Sequence, residues 1–176
     1  MLDRTNSSSG TKTYSNVLRG TMEPNQPMYV YQMPMFMVTV SAVVIVDNGV
    51  VMAPTPPDIN RSHKFPGGPV RAGLETIQFA CVRYVKEQTG IVLKKDALIP
   101  VDFRSDPSRS KEGNVIDIGF VCIPHNLKVE DINKESHAEW IEVDFEKKCV
   151  VNAQWSFYMD HQQLLERAID VAMMVK

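Results

Sequence analysis

Residues 67–91 read GGPVRAGLETIQFACVRYVKEQTGI and combine a glycine-rich segment with a helical pattern. Apolar side chains recur there at the spacing of one helix face, at Ile77, Ala80, Cys81 and Tyr84. This spacing predicts a helix over residues 76–89, and Gly90 is typical of the position just after a helix ends. We therefore expect a loop, a helix and a second loop in this segment.

Runs of β-branched residues on both sides of this helix predict strands. The longest run covers residues 36–46 and is followed by Asp47-Asn48-Gly49, a turn signal that favours a hairpin with a return strand at residues 50–52. Further elements are expected as strands at residues 98–103, 115–124 and 138–143 and as a terminal helix over residues 158–175. This order predicts an α+β fold, an α/β/α sandwich in which helices flank a mixed sheet.

The length and composition indicate one domain with a tail. A chain of 176 residues is the size of a single domain, and an apolar content of 44% is ordinary for a globular protein. Residues 1–30 are dominated by Ser, Thr, Asn, Gly and Pro. This composition predicts a flexible polar tail, followed by a folded domain over residues 31–176.

Several classes of protein are disfavoured by the same composition. A net charge of −2 offers no broad basic surface, so no nucleic-acid partner is expected. The apolar part of the uncharged stretch 24–46 is too short for a membrane helix, and residues 1–20 contain no signal-peptide core. We therefore expect a cytoplasmic protein without a membrane partner. Cys81, Cys122 and Cys149 lie far apart and favour reduced thiols over disulfides or structural zinc.

The segment 67–91 resembles the Nudix box of the Nudix (MutT-like) hydrolase family, a loop–helix–loop written G-x5-E-x7-R-E-U-x-E-E-x-G-U, where U is aliphatic. The residues that fall on family positions are Glu75, Arg83, Val85, Glu87, Gly90 and Ile91. Six residues rather than five separate Gly68 from Glu75, which we interpret as an insertion at Gly73-Leu74.

Three further segments support this resemblance, which covers residues 35–172. The hairpin over residues 37–52 is similar to the first strands of the family. Residues 103–109 resemble the phosphate-side loop of ADP-ribose-type members. The stretches Glu139-Trp140-Ile141 and Asp160-His161 resemble the family's E-x-W strand and the start of its last helix. The resemblance implies the Nudix fold.

The resemblance also implies an activity, the hydrolysis of a nucleoside diphosphate linked to another moiety, such as ADP-ribose, with Mg²⁺ or Mn²⁺ as cofactor. The family places three glutamates at the positions of Tyr84, Glu87 and Gln88, and only Glu87 is a carboxylate here. A phenol has a pKa of about 10 and a carboxamide is uncharged, so this helix offers a weak metal site. Arg83, four residues before Glu87, is also expected to neutralise part of its charge.

Two functions from different classes therefore stay open. One is a metal-dependent pyrophosphohydrolase, and the other is a nucleotide- or sugar-phosphate-binding module, such as a sensor, without turnover. The expected partner in both is a small-molecule nucleotide. A homodimer and a purely protein-binding role, through the tail and the methionine-rich first strand, are weaker alternatives.

Individual residues receive roles from the resemblance. Glu87 is the expected catalytic residue, and the expected metal ligands are Glu87, Gln88 and, by its position alone, Glu135. The residues expected to stabilise the box are Glu75, Arg83 and Gly90. The expected substrate-binding residues are Gly67, Gly68, Arg104, Asp106 and Arg109. For Arg104 and Arg109 a solvated loop of mixed charge is the alternative to bidentate phosphate binding. His161 is expected to pack against the domain, with Asp160 near a helix N-cap.

Overall fold

The computed structural model describes residues 36–53, 62–110, 114–132, 138–152 and 156–175. These ranges belong to one compact unit, Phe36–Lys176. The predicted tail over residues 1–30, the predicted domain start at residue 31 and the predicted metal ligand Glu135 lie outside the described residues.

The described ranges contain nine strands and two α-helices. The strands are β1 (Met37–Val46), β2 (Gly49–Met52), β3 (Ser62–His63), β4 (Gly67–Pro69), β5 (Ile99–Arg104), β6 (Val115–Cys122), β7 (Glu139–Asp144), β8 (Cys149–Val150) and β9 (Ser156–Phe157). The helices are α1 (Ile77–Thr89) and α2 (His161–Val175), with short 3-10 helices at Lys95–Ala97, Pro107–Arg109 and Val129–Asp131.

Strand β1 is the centre of a seven-stranded mixed sheet, in which six strands follow the order β5-β6-β1-β2-β7-β8 and the seventh, β4, pairs with β1. On one side β1 runs parallel to β6, and on the other it pairs antiparallel with β4 and then with β2. In the parallel pair Thr39 lies opposite Asp117, so a hydroxyl and a carboxylate meet inside the sheet. The remaining strands, β3 and β9, form a separate two-stranded parallel sheet.

Two apolar cores lie on opposite faces of the large sheet. Alternate residues of β1 divide between them, which is why β1 is apolar without interruption over residues 42–46. One core joins β1 to α1 through Ala80, Cys81 and Val85. The other joins β1 to α2 through Leu164, Leu165, Ala168, Ile169 and Ala172. The predicted α/β/α sandwich and the α+β class are confirmed.

The C-terminal end of α1 follows the predicted signal at Gly90, whereas the N-cap at Thr76 falls on the residue predicted to be the first of the helix. The Thr76 hydroxyl accepts a hydrogen bond from the Phe79 backbone N–H at 3.3 Å and caps the helix. Gly90 has a φ of 75° and donates its N–H to the Lys86 carbonyl at 2.9 Å, which closes the helix at its C-terminus. The second helix begins at His161, later than the predicted residue 158, because Met159 has a φ of 49°, outside the right-handed helical region.

Strand β4 lies where the sequence predicts a loop, because Gly67, Gly68 and Pro69 have low strand propensity. The strand forms because β1 offers it a partner along Thr39–Ser41. A Cβ atom at position 67 would collide with the Val40 carbonyl oxygen, so this pairing requires glycine.

Two further expectations concern the cysteines and the membrane. Cys81, Cys122 and Cys149 are all free, as predicted. Burial raises the pKa of the Cys81 thiol to about 12 and that of Cys122 to about 11, so neither is a thiolate at neutral pH. Within the described ranges, neither helix has the length and apolar character needed to cross a bilayer.

Candidate functional site

Glu75 and Arg83 join the loop before α1 to the helix itself. The Glu75 carboxylate accepts hydrogen bonds from Arg83 Nε at 2.9 Å and Nη2 at 2.6 Å, and from the Arg71 backbone N–H at 2.9 Å. Mainly because of the Arg83 hydrogen bonds, the pKa of Glu75 is lowered to about 2. Gly73 has a φ of 75° and Leu74 is exposed, so the proposed insertion forms a surface turn. This geometry is what a stabilising role for Glu75 and Arg83 requires.

Glu87 lies one turn after Arg83 on α1, and half of its side chain is exposed. Arg83 Nη1 donates to Glu87 Oε2 at 3.1 Å, so the predicted pairing of these two charges is confirmed. The Arg83 guanidinium therefore lies between two carboxylates, those of Glu75 and Glu87. Glu87 keeps its position in the box, but the Arg83 guanidinium neutralises part of its negative charge.

Gln88, predicted to be a metal ligand, is bonded to the backbone of β4. The Gly67 N–H donates to Gln88 Oε1 at 2.9 Å, and Gln88 Nε2 donates to the Gly67 carbonyl oxygen at 3.1 Å. The oxygen and the nitrogen of the Gln88 carboxamide are therefore both hydrogen bonded to the backbone of Gly67. Gln88 acts here as a bridge between α1 and β4.

Tyr84 makes a second bridge to the same strand. Its hydroxyl donates to the Pro69 carbonyl oxygen at 3.0 Å. Its ring lies so close to Gly68 that a Cβ atom there would be 2.6 Å from Tyr84 Cζ. A side chain at position 68 would therefore displace the Tyr84 ring, so glycine permits this close approach.

The residues described do not fit a divalent cation held by anionic oxygens, which Mg²⁺ prefers. Glu87 is paired with Arg83, and the side-chain oxygens of Tyr84 and Gln88 are bonded to β4. Among the described residues, no group of three or more His, Cys, Asp or Glu side chains is arranged to hold a metal ion. The structure therefore favours the view that this helix offers a weak metal site.

Arg104 and Arg109, predicted to bind phosphate, lie in a buried ion cluster with two aspartates. We call Arg104, Arg109, Asp117 and Asp160 the Arg–Asp cluster. Arg104 donates from Nη1 to Asp160 Oδ1 at 2.9 Å and from Nη2 to the Asp117 carboxylate. Arg109 donates to Asp160 from Nε at 2.9 Å and Nη2 at 2.8 Å. The two arginine side chains are only 7% and 6% exposed, so they do not belong to a solvated loop.

The Arg–Asp cluster is extended by two hydroxyls of β1. Asp117 Oδ1 accepts hydrogen bonds from Thr39 Oγ1 at 2.6 Å and from Ser41 Oγ at 3.2 Å. Sequence reasoning did not select Thr39, Ser41 or Asp117. The available signal was a single aspartate inside the apolar run Val-Ile-Asp-Ile-Gly-Phe, because a buried charge needs partners.

Asp160 and His161 stand at the start of α2 and face different partners. The Asp160 carbonyl accepts the N–H groups of Gln163 and Leu164, whereas its carboxylate bonds to Arg104 and Arg109. His161 is buried against the domain, as predicted, and its Nδ1 accepts the Phe65 backbone N–H at 3.0 Å. Burial lowers the pKa of His161 to about 4, so at neutral pH its proton lies on Nε2.

A pocket of about 240 Å³ lies between β1, β4 and the start of α2. Three predicted binding residues line it, namely Gly67, Gly68 and Arg109. Its other polar lining includes Lys64, Asp117 and His161. Two predicted residues do not line it: Arg104 lies in the Arg–Asp cluster, and exposed Asp106 accepts hydrogen bonds from Ser108 at the start of a 3-10 helix.

Comparison with known proteins gives the family of this chain. The family profile of the NUDIX domain matches residues 35–161, and the protein belongs to this family. An ADP-ribose pyrophosphatase of Methanocaldococcus jannaschii is 42% identical over 73 residues, which are 40% of this chain and 41% of that enzyme. The chain thus spans less than half the length of this curated relative.

Solved structures show the same fold. A MutT/nudix family protein from Enterococcus faecalis has a TM-score of 0.63 and 18% identity, covering 85% of this chain and 66% of that one. The NUDIX domain of NrtR from Shewanella oneidensis, solved with ADP ribose, has a TM-score of 0.61 and 16% identity, covering 80% and 90%. NrtR has also been solved with a 27mer DNA. The expectation that this chain has no nucleic-acid partner stays a prediction.

Proposed function

We propose that this protein binds a nucleoside diphosphate linked to another moiety, of the ADP-ribose type, and does not hydrolyse it with a divalent metal. The observation that carries this proposal is that all three side chains at the family's glutamate positions on α1 already have partners within the protein. Glu87 is paired with Arg83, while Tyr84 and Gln88 are hydrogen bonded to β4. A divalent cation brings two positive charges, and among the described residues these three positions offer it a single carboxylate, that of Glu87.

The pocket beside Gly67 and Gly68 is the proposed binding site. The Arg–Asp cluster has two positive and two negative side chains and so brings no net charge to the pocket. Lys64 is an additional cation in the pocket lining, and burial lowers its pKa. An anionic group beside Lys64 would offset the cost of removing the ammonium from water. His161 also lines the pocket, and its neutral imidazole carries its proton on Nε2 because Nδ1 accepts the Phe65 N–H.

The size of the pocket limits how much of the ligand it can enclose. At about 240 Å³ it is smaller than most small-molecule sites, which occupy about 300–1,000 Å³. We therefore propose that it encloses one end of the ligand, with the rest lying across the outer surface of β4. Support for the ligand class comes from the relatives, an ADP-ribose pyrophosphatase and a NUDIX domain solved with ADP ribose.

A metal-dependent pyrophosphohydrolase is the second candidate. Glu87 favours it, because this carboxylate holds its family position and is half exposed. In that case Glu135, which lies outside the described residues, is the proposed extra metal ligand. Cytoplasmic location and a homodimer stay predictions under both candidates.

Calorimetry and product analysis on the same protein separate the two candidates. We expect ADP-ribose to bind in EDTA as tightly as in Mg²⁺ or Mn²⁺, and no AMP to appear by chromatography. AMP, ADP, NADH and ATP serve as comparison ligands. Metal-dependent AMP release that is lost in Glu87→Gln would contradict the proposal and establish the hydrolase. Neither binding nor product release with any nucleotide tested would reject both candidates.

A further inference from the structure

Tyr84 and Gln88 lie one turn apart on the face of α1 that packs against β4. Together they make three hydrogen bonds to the strand backbone: to the N–H of Gly67, to its carbonyl oxygen and to the carbonyl oxygen of Pro69. We call these two side chains and their three bonds the α1–β4 latch. Proline has no N–H, so Pro69 leaves only its carbonyl to be satisfied.

The latch completes a strand that would otherwise have an open edge. β4 is hydrogen bonded to β1 on one side, and Gly67 and Pro69 turn groups away from β1 toward α1. The Gln88 carboxamide donates and accepts in parallel, as a peptide group of a neighbouring strand does. Gly67 is half-buried and Pro69 is exposed, so it is these three hydrogen bonds between side chain and backbone that hold β4 against α1.

We infer that the α1–β4 latch fixes the pocket wall at Gly67 and Gly68 without a divalent cation. This inference rests on the proposed function only in treating that wall as part of a binding site. Gln88 and Tyr84 are thus positioning residues, which act on the ligand through the backbone of β4. The poor fit of α1 to a metal ion and the good fit of α1 to β4 are two consequences of the same two side chains.

The charge at position 88 decides whether a cation is needed. A glutamate there is nearly isosteric with glutamine and would still accept the Gly67 N–H. It would lose the donor to the Gly67 carbonyl and place a negative charge against that oxygen. With Glu87 beside it, Gln88→Glu creates a pair of carboxylates that repel each other unless a cation lies between them.

Thermal unfolding without nucleotide tests the latch independently of the ligand. We expect the wild-type Tm to be the same in EDTA and in excess Mn²⁺, within one degree. Gln88→Glu should unfold several degrees lower in EDTA and recover at least half of that loss in Mn²⁺. Gln88→Leu should unfold several degrees lower under both conditions. The matched control is Gln78→Glu on the exposed face of α1, which should show no metal dependence.

The second arm measures binding of ADP-ribose by calorimetry. The Kd of Gln88→Glu should rise at least tenfold in EDTA and return toward the wild-type value in Mn²⁺. If ADP-ribose does not bind the wild type, the proposed function fails while the thermal arm still judges the latch. A wild-type Tm that rises by several degrees in Mn²⁺, or Gln88→Glu that matches wild type in EDTA, would overturn the inference.

Tyr84→Phe keeps the test decisive if Gln88→Glu does not fold. This variant loses only the hydroxyl bonded to the Pro69 carbonyl and keeps the ring against Gly68. We expect a smaller loss of Tm, with no recovery in Mn²⁺, and a weaker affinity for ADP-ribose. An unchanged Tm and unchanged Kd in Tyr84→Phe would count against the latch.

Discussion

The backbone N–H of Phe65 donates to Nδ1 of His161 at 3.0 Å, and the two rings stack with centroids 5.4 Å apart. Because Nδ1 accepts this hydrogen bond, it cannot carry a proton itself. The imidazole is therefore held neutral, in agreement with its burial and with its pKa of about 4. Arg104 and Arg109 also disfavour the imidazolium, whereas Asp117 and Asp160 favour it.

This bond predicts a loss of stability in mild acid. The unfolded chain binds a proton at His161 near pH 6.5 and the folded chain only near pH 4, so stability falls as the pH decreases between these values. The contribution is about 3 kcal/mol at most. The variant His161→Gln retains an acceptor for the Phe65 N–H. Its free energy of unfolding, measured with urea, should be lower than that of the wild type at pH 7 and should depend less on pH between 6.5 and 5. Equal pH dependence in the two proteins would contradict this assignment.

Local signals predicted the elements that local physics determines. The apolar spacing of α1 and its end at Gly90 are both contained in one short segment, residues 77–90. The central position of β1 follows from its apolar run over residues 42–46, because a strand that is apolar on both faces has to be buried on both faces. The family pattern added the placement of this helix beside a glycine-rich segment.

The missed features depend on residues far apart in the chain. Gly67 and Gln88 are 21 positions apart, Thr39 and Asp117 are 78, and Phe65 and His161 are 96. A repeating pattern of apolar residues along the sequence cannot reveal pairs that are so far apart. Arg104 and Arg109 illustrate the consequence: arginines in a polar loop resemble phosphate ligands, and only the fold shows that Asp117 and Asp160 lie within their reach.

The Arg–Asp cluster predicts a large effect of a single truncation. Asp117→Ala leaves Arg104 buried without one of its two carboxylates and should destabilise the protein by about 3–5 kcal/mol, measured by urea unfolding. Asp106→Ala, which removes an exposed carboxylate from a 3-10 helix, is the comparison and should cost about 1 kcal/mol. Similar losses in the two variants would show that the cluster contributes little.

The ion pair between Glu75 and Arg83 should make the Glu75 carboxyl group unusually acidic. Because Arg83 donates two hydrogen bonds to Glu75, this carboxylate should stay ionised on acidification to pH 3, consistent with its pKa of about 2. In Arg83→Met the pKa should return to about 4. Carboxyl ¹³C chemical shifts measured from pH 6 to pH 3 check both values. A wild-type Glu75 that titrates near pH 4 would mean that the ion pair is not formed in solution.

The charge of Lys64 should supply the electrostatic part of the affinity for a nucleotide. Among the described residues that line the pocket, Lys64 is the cation outside the Arg–Asp cluster, so an anionic ligand should depend on it more than on Arg109, which is paired with Asp160. Lys64→Met should raise the Kd for ADP-ribose about tenfold and reduce the dependence of the Kd on salt concentration, because a charge–charge interaction is lost. The matched control is Lys94→Met, on an exposed segment after α1, which should leave both quantities unchanged. Calorimetry at 50 and 300 mM salt measures them, and equal effects of the two substitutions would exclude Lys64 as the specific anion contact.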